Sequence, residues 1–256
     1  MRIGTYNIFS FRGFPGEEAA KELGEPNSPE RIKHFTGVFR ELDCDILALQ
    51  EGGVAAKTIQ AIADGLGVSV ATFTSPCYWP GHLLSRYKIV ESRTFSHFVP
   101  GGVEPPFSRC CGAALVEAAD RLIWVVVLHL YPKSLEMRSK EAAILTDKIA
   151  DLAKDTRYII VLGDFNSNIT EDVHVALGDL GFVNAMLAVG GGLRPTIDTA
   201  GKKRSILDHI YVSADLSHTL RRSFVVDAPG FRSDDAQEAG GWVHSDHLPV
   251  VAELEL

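Results

Sequence analysis

Several apolar runs in this chain end in side chains able to hold a metal ion or move a proton. Asn7 closes the run that begins at Arg2, and Glu51 follows Asp45-Ile46-Leu47-Ala48-Leu49-Gln50. His129 follows Val125-Val126-Val127-Leu128, while Asp164 and Asn166 follow Ile159-Ile160-Val161-Leu162-Gly163. Asp208-His209 interrupts a later run, and Ser245-Asp246-His247 precedes the last one. Carboxylates bind hard divalent cations, amides offer a neutral oxygen, and imidazoles exchange protons near neutral pH. For any one of these residues a turn, a helix cap or a half-buried imidazole is the simpler account. Gathering several at the ends of apolar strands is costly unless a cation or a substrate compensates them.

The elements that would position them are legible from patterning. Short runs rich in Val, Ile and Leu read as strands over 2–8, 46–49, 68–73, 83–84, 113–116, 123–128, 158–162, 206–212 and 250–254. Ser28-Pro29-Glu30 supplies a cap, a first-turn proline and an early acid for a helix whose apolar stripe is Ile32, Phe35, Phe39 and Leu42. A second helix is predicted from about Leu135 to Lys154, with Ala142, Leu145, Ile149 and Leu152 facing inward. Gly/Pro-rich stretches at 13–29, 75–81, 100–106 and 227–241 read as long loops. No repeat or break in composition divides residues 1–256, so one α/β domain is expected, its sheets packed face to face with helices outside.

The ordered series Thr5-Tyr6-Asn7, Leu49-Gln50-Glu51, Leu84-Ser85-Arg86, His129, Gly163-Asp164-Phe165-Asn166, Ile206-Leu207-Asp208-His209-Ile210 and Ser245-Asp246-His247 resembles the endonuclease/exonuclease/phosphatase superfamily. That resemblance implies a four-layered α/β sandwich: two mainly antiparallel sheets packed together, flanked by helices, with the active site at one edge. It also implies a cofactor, Mg²⁺ or Mn²⁺, held by Glu51, by the amide oxygen of Asn7, and by Asp246 directly or through water. Asp164 would orient or deprotonate the attacking water, and Asn166 would donate to a phosphate oxygen. His247 would contact the phosphate with Asp208 accepting from its ring, and His129 would occupy another phosphate-contacting position. Which imidazole is the general acid stays open. Phe9 stands where abasic-site endonucleases of this kind carry an acid, which weakens the transfer of a two-site metal scheme and leaves the number of metal ions open. His209, where an aromatic is usual, is expected to be structural.

Outside these motifs, Arg109 and His82 are candidates for facing the substrate, with loop packing an equal account of Arg109 and the better one of His82. Lys202-Lys203-Arg204 is the best basic run for an anionic substrate, and Trp79 and Trp242 are loop aromatics able to stack. The chain of 256 residues has a formal net charge of -8, which argues against a surface that grips nucleic acid nonspecifically. Four cysteines without CxxC pairing read as buried thiols, with Cys110 and Cys111 on opposite strand faces. The chain shows neither a secretory leader pattern nor an apolar run of spanning length, so a cytoplasmic setting is expected. A phosphodiesterase or phosphatase acting on a small or lipid-like ester is therefore the first expectation. A DNA- or RNA-directed nuclease is the alternative, and an inactive binding module on the same scaffold is a third.

Overall fold

Side-chain alternation along the central strands sets the architecture of this computed structural model, which describes residues 1–15, 19–97, 106–198, 204–232 and 241–256. In chain order the elements are β1 (Arg2–Asn7), α1 (Pro29–Leu42), β2 (Ile46–Gln50), α2 (Ala56–Leu66), β3 (Ser69–Phe73), β4 (Gly81–Ser85), β5 (Lys88–Thr94), β6 (Cys110–Ala118) and β7 (Arg121–His129). They continue with α3 (Leu135–Leu152), β8 (Ile159–Asp164), α4 (Asp172–Asp179), β9 (Val183–Asn184), α5 (Ala185–Val189), β10 (Ile197–Asp198), β11 (Arg204–Ser205), β12 (Asp208–Val212), α6 (Ala214–Ser217), β13 (Leu220–Val225) and β14 (Val250–Leu254).

One sheet has the order β13-β14-β1-β2-β4-β3 and the other β5-β6-β7-β8-β12-β9, with β10 and β11 forming a separate hairpin. Each large sheet is antiparallel except for one parallel pair, β1 with β2 and β7 with β8. The residues sort into three apolar layers, as strands of period two require. Val125 and Val127 with Ile160 and Leu162 lie between the sheets, together with Ile3, Ile46, Ala48, Ile210 and Val250. Trp124, Val126 and Leu128 with Ile159 and Val161 face outward and are covered by Leu145, Ile149 and Leu152 of α3 and by Val173 and Leu177 of α4. On the opposite exterior Tyr6, Leu47, Leu49 and Leu84 meet Phe35, Val38 and Phe39 of α1 and Ile59 and Ile62 of α2. Helix, sheet, sheet and helix are thus four layers joined by three cores, each fully buried large side chain contributing roughly 1.5–3 kcal/mol.

Local chemistry fixes the helix starts. Ser28 accepts from the Arg31 amide at 3.2 Å and Ser134 from the Met137 amide at 3.2 Å, so both α1 and α3 begin at capped, extended residues. No helix among the described residues is long and apolar enough to cross a membrane. Cys110 packs between the sheets and Cys111 beneath α3, on opposite faces of β6. The expectation of buried thiols fails at Cys77, which is exposed and donates to the Ser108 carbonyl at 2.7 Å. It sits on a loop outside both sheets, where no apolar layer covers it.

Candidate active site

The same alternation that builds the central core carries polar side chains to its rim. In β1, Ile3 faces the other sheet, so Asn7 does too; in β7 the inward series is Val125, Val127, His129; in β8 it is Ile160, Leu162, Asp164. In β12, Ile210 and Val212 point inward, which puts Asp208 on the same side. His129, Asp164 and Asp208 are then direct register partners across three adjacent strands. β1, β2, β7 and β8 all end at this edge, and the antiparallel β12 and β14 begin there.

Glu51 is the exception that completes the set. After Ile46, Ala48 and Gln50 on the inward side, strict alternation would turn residue 51 outward. Its φ of 56° places it in the left-handed region instead, which costs of order 1 kcal/mol for a non-glycine residue. The side chain thereby reaches the gap between the sheets, with Oε1 at 3.2 Å from Arg109 Nη1 and 3.8 Å from His129 Nε2. His82 holds the bend in place: buried, it bridges the Gly52 carbonyl at 2.9 Å and the Thr72 hydroxyl at 3.0 Å. His82 therefore faces the backbone behind Glu51 and not the substrate side.

Asp164 is the hub. Its Oδ2 accepts from Asn7 Nδ2 at 3.0 Å and lies 3.4 Å from His129 Nε2 and 3.8 Å from His247 Nε2. Burial pushes its carboxyl up to about 7, against the opposing influence of His247 and the Asn7 hydrogen bond. Burial likewise raises Glu51, with His247, Asn7 and Arg109 pulling the other way.

The two imidazoles are driven apart. Burial holds His129 well below the ordinary histidine value, and the charges of Arg109 and His247 add to this. Arg109 Nη1 lies 2.5 Å from His129 Nε2; since a guanidinium only donates, Nε2 accepts and the proton of the neutral ring sits on Nδ1, which is buried with no partner among the described residues. Burial alone would depress His247 as well, but the charge and hydrogen bond of Asp208, joined by Asp164 and Asp246, carry it well above the ordinary value. Its Nδ1 donates to Asp208 Oδ2 at 2.8 Å, and Asp208 Oδ1 is buried without a partner among the described residues. Asp164, Asp208 and His247 offer ligand-type atoms all within 4.8 Å of one another. Asp208, Asp164 and Asp246 favour the doubly protonated His247 ring, a form with no lone pair to offer a cation.

The family's sequence profile, described as the Endonuclease/Exonuclease/phosphatase family, matches residues 4–247. The chain belongs to this family. A comparison with curated proteins by sequence finds no match. Among solved structures, an endonuclease/exonuclease/phosphatase family protein from Bacteroides thetaiotaomicron is 18% identical with a TM-score of 0.72, over 99% of this chain and 94% of that one. A mannosyl-6-phosphatase from the same species is 19% identical with a TM-score of 0.71, covering 100% of both chains. A 3′ phosphatase from Neisseria, bound to a product DNA hairpin, is 20% identical with a TM-score of 0.69, again over 100% of both. At such identities the likeness establishes the fold, and the four-layered sandwich implied by the motifs is the one observed.

Within this endonuclease/exonuclease/phosphatase edge some expectations change. Asn166, expected to donate to a phosphate oxygen, leaves the extended path of β8: its φ is 48°, its amide N–H bonds to Asp164 Oδ1 at 2.9 Å, and its side-chain nitrogen donates to the Leu130 carbonyl at 3.1 Å. One side-chain donor is thus committed to the backbone after His129. Arg109 is brought into the site, and its guanidinium also lies 5.1 Å over the Trp79 ring. Trp242 is instead a packing residue that donates to Glu22 at 2.5 Å and contacts His34. His209 points outward from β12 into a cluster with Phe165, His174 and Tyr211, consistent with a structural role. Phe9 packs edge-on against Phe14. Lys202 and Lys203 lie outside the described residues.

Three positioning residues escaped sequence reasoning. Thr196 Oγ1 accepts from the Leu207 and Asp208 amides at 3.0 and 3.1 Å, and its carbonyl accepts from Leu248 at 2.6 Å, tying Asp208 to the segment that bears His247. Ser245 donates to the Asn7 carbonyl at 2.6 Å and accepts from the His247 amide at 3.2 Å. Glu141, buried on α3, accepts from Ser108 N at 2.8 Å, Ser108 Oγ at 2.6 Å and Tyr131 N at 2.9 Å, which anchors the loops around Arg109 and His129. Nothing in their sequence context separates Thr196 or Glu141 from ordinary surface polar residues; only Ser245 had a signal, as part of Ser245-Asp246-His247.

Proposed function

We propose that this chain is a divalent-metal-dependent hydrolase of phosphate esters, a phosphodiesterase or phosphatase with a small or lipid-like substrate. The observation that carries the reading is Asp164 Oδ2 standing 3.4 Å from His129 Nε2 and 3.8 Å from His247 Nε2, two imidazoles that their surroundings push in opposite directions. A carboxyl raised to about 7 is poised to orient water and take its proton near neutral pH. A protonated His247, backed by Asp208, presents positive charge and a proton to a phosphate oxygen or leaving group, whereas the neutral His129 accepts from Arg109. His247 is therefore the better general acid of the two.

The donor set fits a hard cation. Glu51, Asp164, Asp208 and Asp246 supply four carboxylates, and Arg109 and His247 supply the opposing charges, so negative charge remains in a largely buried place. Glu51, Asn7 and Asp246 would hold Mg²⁺ or Mn²⁺, with Asn7 aligned by its bond to Asp164. When bound, the cation supplies charge neutralisation at the phosphate and lowers the cost of attack by water. Arg109 would reinforce that positive field while Trp79 restrains its guanidinium. Both large sheets contribute, which supports treating residues 1–256 as one catalytic domain. The four free cysteines suit a reducing compartment such as the cytoplasm.

The nuclease reading has one observation in its favour, the DNA-bound 3′ phosphatase among similar folds; the net charge of -8 weighs against it. A metal-supplemented panel of a chromogenic bis-ester, a chromogenic mono-ester, abasic duplex DNA, plasmid DNA and sphingomyelin separates the readings. Turnover of the small or lipid esters supports the proposal; cleavage of the nucleic acids alone overturns its substrate class. Binding without turnover under any divalent cation, by folded protein, would instead indicate an inactive module.

A further inference from the structure

β7 and β8 run parallel and side by side, so the loops that leave His129 and Asp164 cross the same sheet edge as neighbours. Close to the strands they are tied directly, the Leu130 amide donating to the Asp164 carbonyl at 3.1 Å and Asn166 Nδ2 to the Leu130 carbonyl at 3.1 Å. Past those residues the ladder has ended, and the loop carbonyls need other donors.

Arg138, one turn into α3, supplies them. Its Nη1 donates to the Tyr131 and Pro132 carbonyls at 3.0 and 3.2 Å, while Nε and Nη2 grip the two oxygens of Glu171 at 2.6 and 3.0 Å. Glu171, just before α4, carries the contact to the other loop, because its Oε1 also accepts from the Asn168 amide at 2.9 Å. Both side chains are only 11% exposed, so this fork is screened less than a surface ion pair. Burial acts to raise the Glu171 carboxyl, yet the bonds from Arg138 and Asn168 hold it below the usual range. Further along α3, Glu141 accepts from the Tyr131 amide, so one helix holds Tyr131 by both its N–H and its carbonyl. The far side of the Asp164 loop is anchored separately: Ser167 Oγ lies 2.8 Å from His174 Nε2, and His174 Nδ1 lies 2.8 Å from the Tyr211 hydroxyl. The Arg138–Glu171 pair adds the link between the two loops.

We propose that Arg138 is a positioning residue: with Glu171 it locks the loop after His129 to the loop after Asp164 and thereby sets His129 Nε2 3.4 Å from Asp164 Oδ2. A lysine ammonium keeps the charge but lacks the planar fork that spans Glu171 and two carbonyls at once. The effect on rate rests on the phosphoesterase reading, whereas the clamp itself is a matter of backbone order.

Amide hydrogen exchange followed by mass spectrometry, paired with kinetics on a chromogenic ester in Mg²⁺, tests this on the full-length protein. Peptides covering 129–134 and 164–171 should exchange at least about tenfold faster in Arg138→Ala, with β6 unchanged. In the same variant kcat should fall at least about tenfold while KM stays within about threefold, because the groups that bind the ester remain and their alignment does not. Arg138→Lys should lose most of the same rate, and Arg138→Ala/Glu171→Ala should be within about twofold of the slower single variant, as two members of one unit are. Asp155→Ala, which breaks the 3.0 Å pair with Arg93 beyond the other end of α3, controls for general loosening and should keep kcat within about twofold. Should Arg138→Ala fail to fold, Arg138→Lys carries the test. Wild-type exchange in both loops, unchanged kcat in Arg138→Lys, or additive losses in the double variant would overturn the proposal. A wild type inert on every ester would instead overturn the phosphoesterase reading, and the exchange rates then decide the clamp by themselves.

Discussion

Asp208 and His247 are 39 residues apart in the chain and meet at 2.8 Å, carboxylate oxygen to ring Nδ1, with both side chains buried. The pairing keeps His247 charged in a place that would otherwise neutralise it, because burial alone disfavours the imidazolium.

Asp208→Asn removes that charge while keeping the side chain's size. The pKa of His247 should fall, so the alkaline limb of the pH–rate profile should move to lower pH by about one unit or more, with kcat/KM down about 10–100-fold at neutral pH. Steady-state kinetics on a chromogenic ester across pH checks this; an unmoved alkaline limb would separate His247 from the proton chemistry.

Arg109→Ala leaves Glu51 and His129 without their shared cation. A fall in kcat/KM of about tenfold or more is expected, with Trp79→Ala giving a smaller fall in the same direction, since the ring restrains the guanidinium without replacing it. Comparing KM and kcat for the two variants against wild type is the check.

Stability of the metal-free protein should decline as pH rises above about 7. Asp164 has a folded-state pKa of about 7, far above the unfolded value of roughly 3.9. Its protonated form therefore stabilises the fold fully below the unfolded value, and that contribution is lost as pH passes through the folded one. His247, raised above its unfolded value, acts in the same direction. Thermal melts in chelator should show Tm falling from about pH 7 to about pH 8.5, a window in which His129, His174, His209 and His244, held low by burial, are already neutral folded or unfolded; Mg²⁺ should restore more at the higher pH because the carboxylates there are unprotonated. A Tm that rises over that range without metal would contradict the assignment.

His82→Ala removes the buried partner of the Gly52 carbonyl and the Thr72 hydroxyl. A loss of about 1–3 kcal/mol in urea unfolding is expected, together with reduced kcat/KM because the bend that aims Glu51 is loosened. Full activity with reduced stability would show that Glu51 needs no such support.

The layers and the inward faces of the central strands were readable because buried strands are apolar runs that end where polar residues begin. The limits of β14 at Val250 and Leu254, and α3 from Leu135, follow the apolar pattern closely. Strands β5 and β13 escaped because they lie at sheet edges, where Lys88, Glu91 and Arg93 or Arg221 and Arg222 interrupt the pattern. The site shows the same division. Asn7, His129, Asp164 and Asp208 follow from alternation, and so does the outward turn of His209. Glu51 and Asn166 do not: each sits at positive φ, a choice set by tertiary contacts with Gly52 and Leu130 and not by local propensity. Thr196 and Glu141 were invisible because their work is to bond backbone groups distant in sequence.

On the proposed function, carboxylates distant in sequence converge on one cation, and phosphate-ester hydrolysis depends on it. The most direct test is the initial rate on chromogenic mono- and bis-esters after exhaustive chelation, then with Mg²⁺ or Mn²⁺ returned, for wild type and Glu51→Gln. The expected result is negligible turnover without metal, recovery in the wild type, and at least about a hundredfold lower rate in Glu51→Gln at the same metal concentration. Full turnover in chelator, or a Glu51→Gln rate equal to wild type, would contradict it.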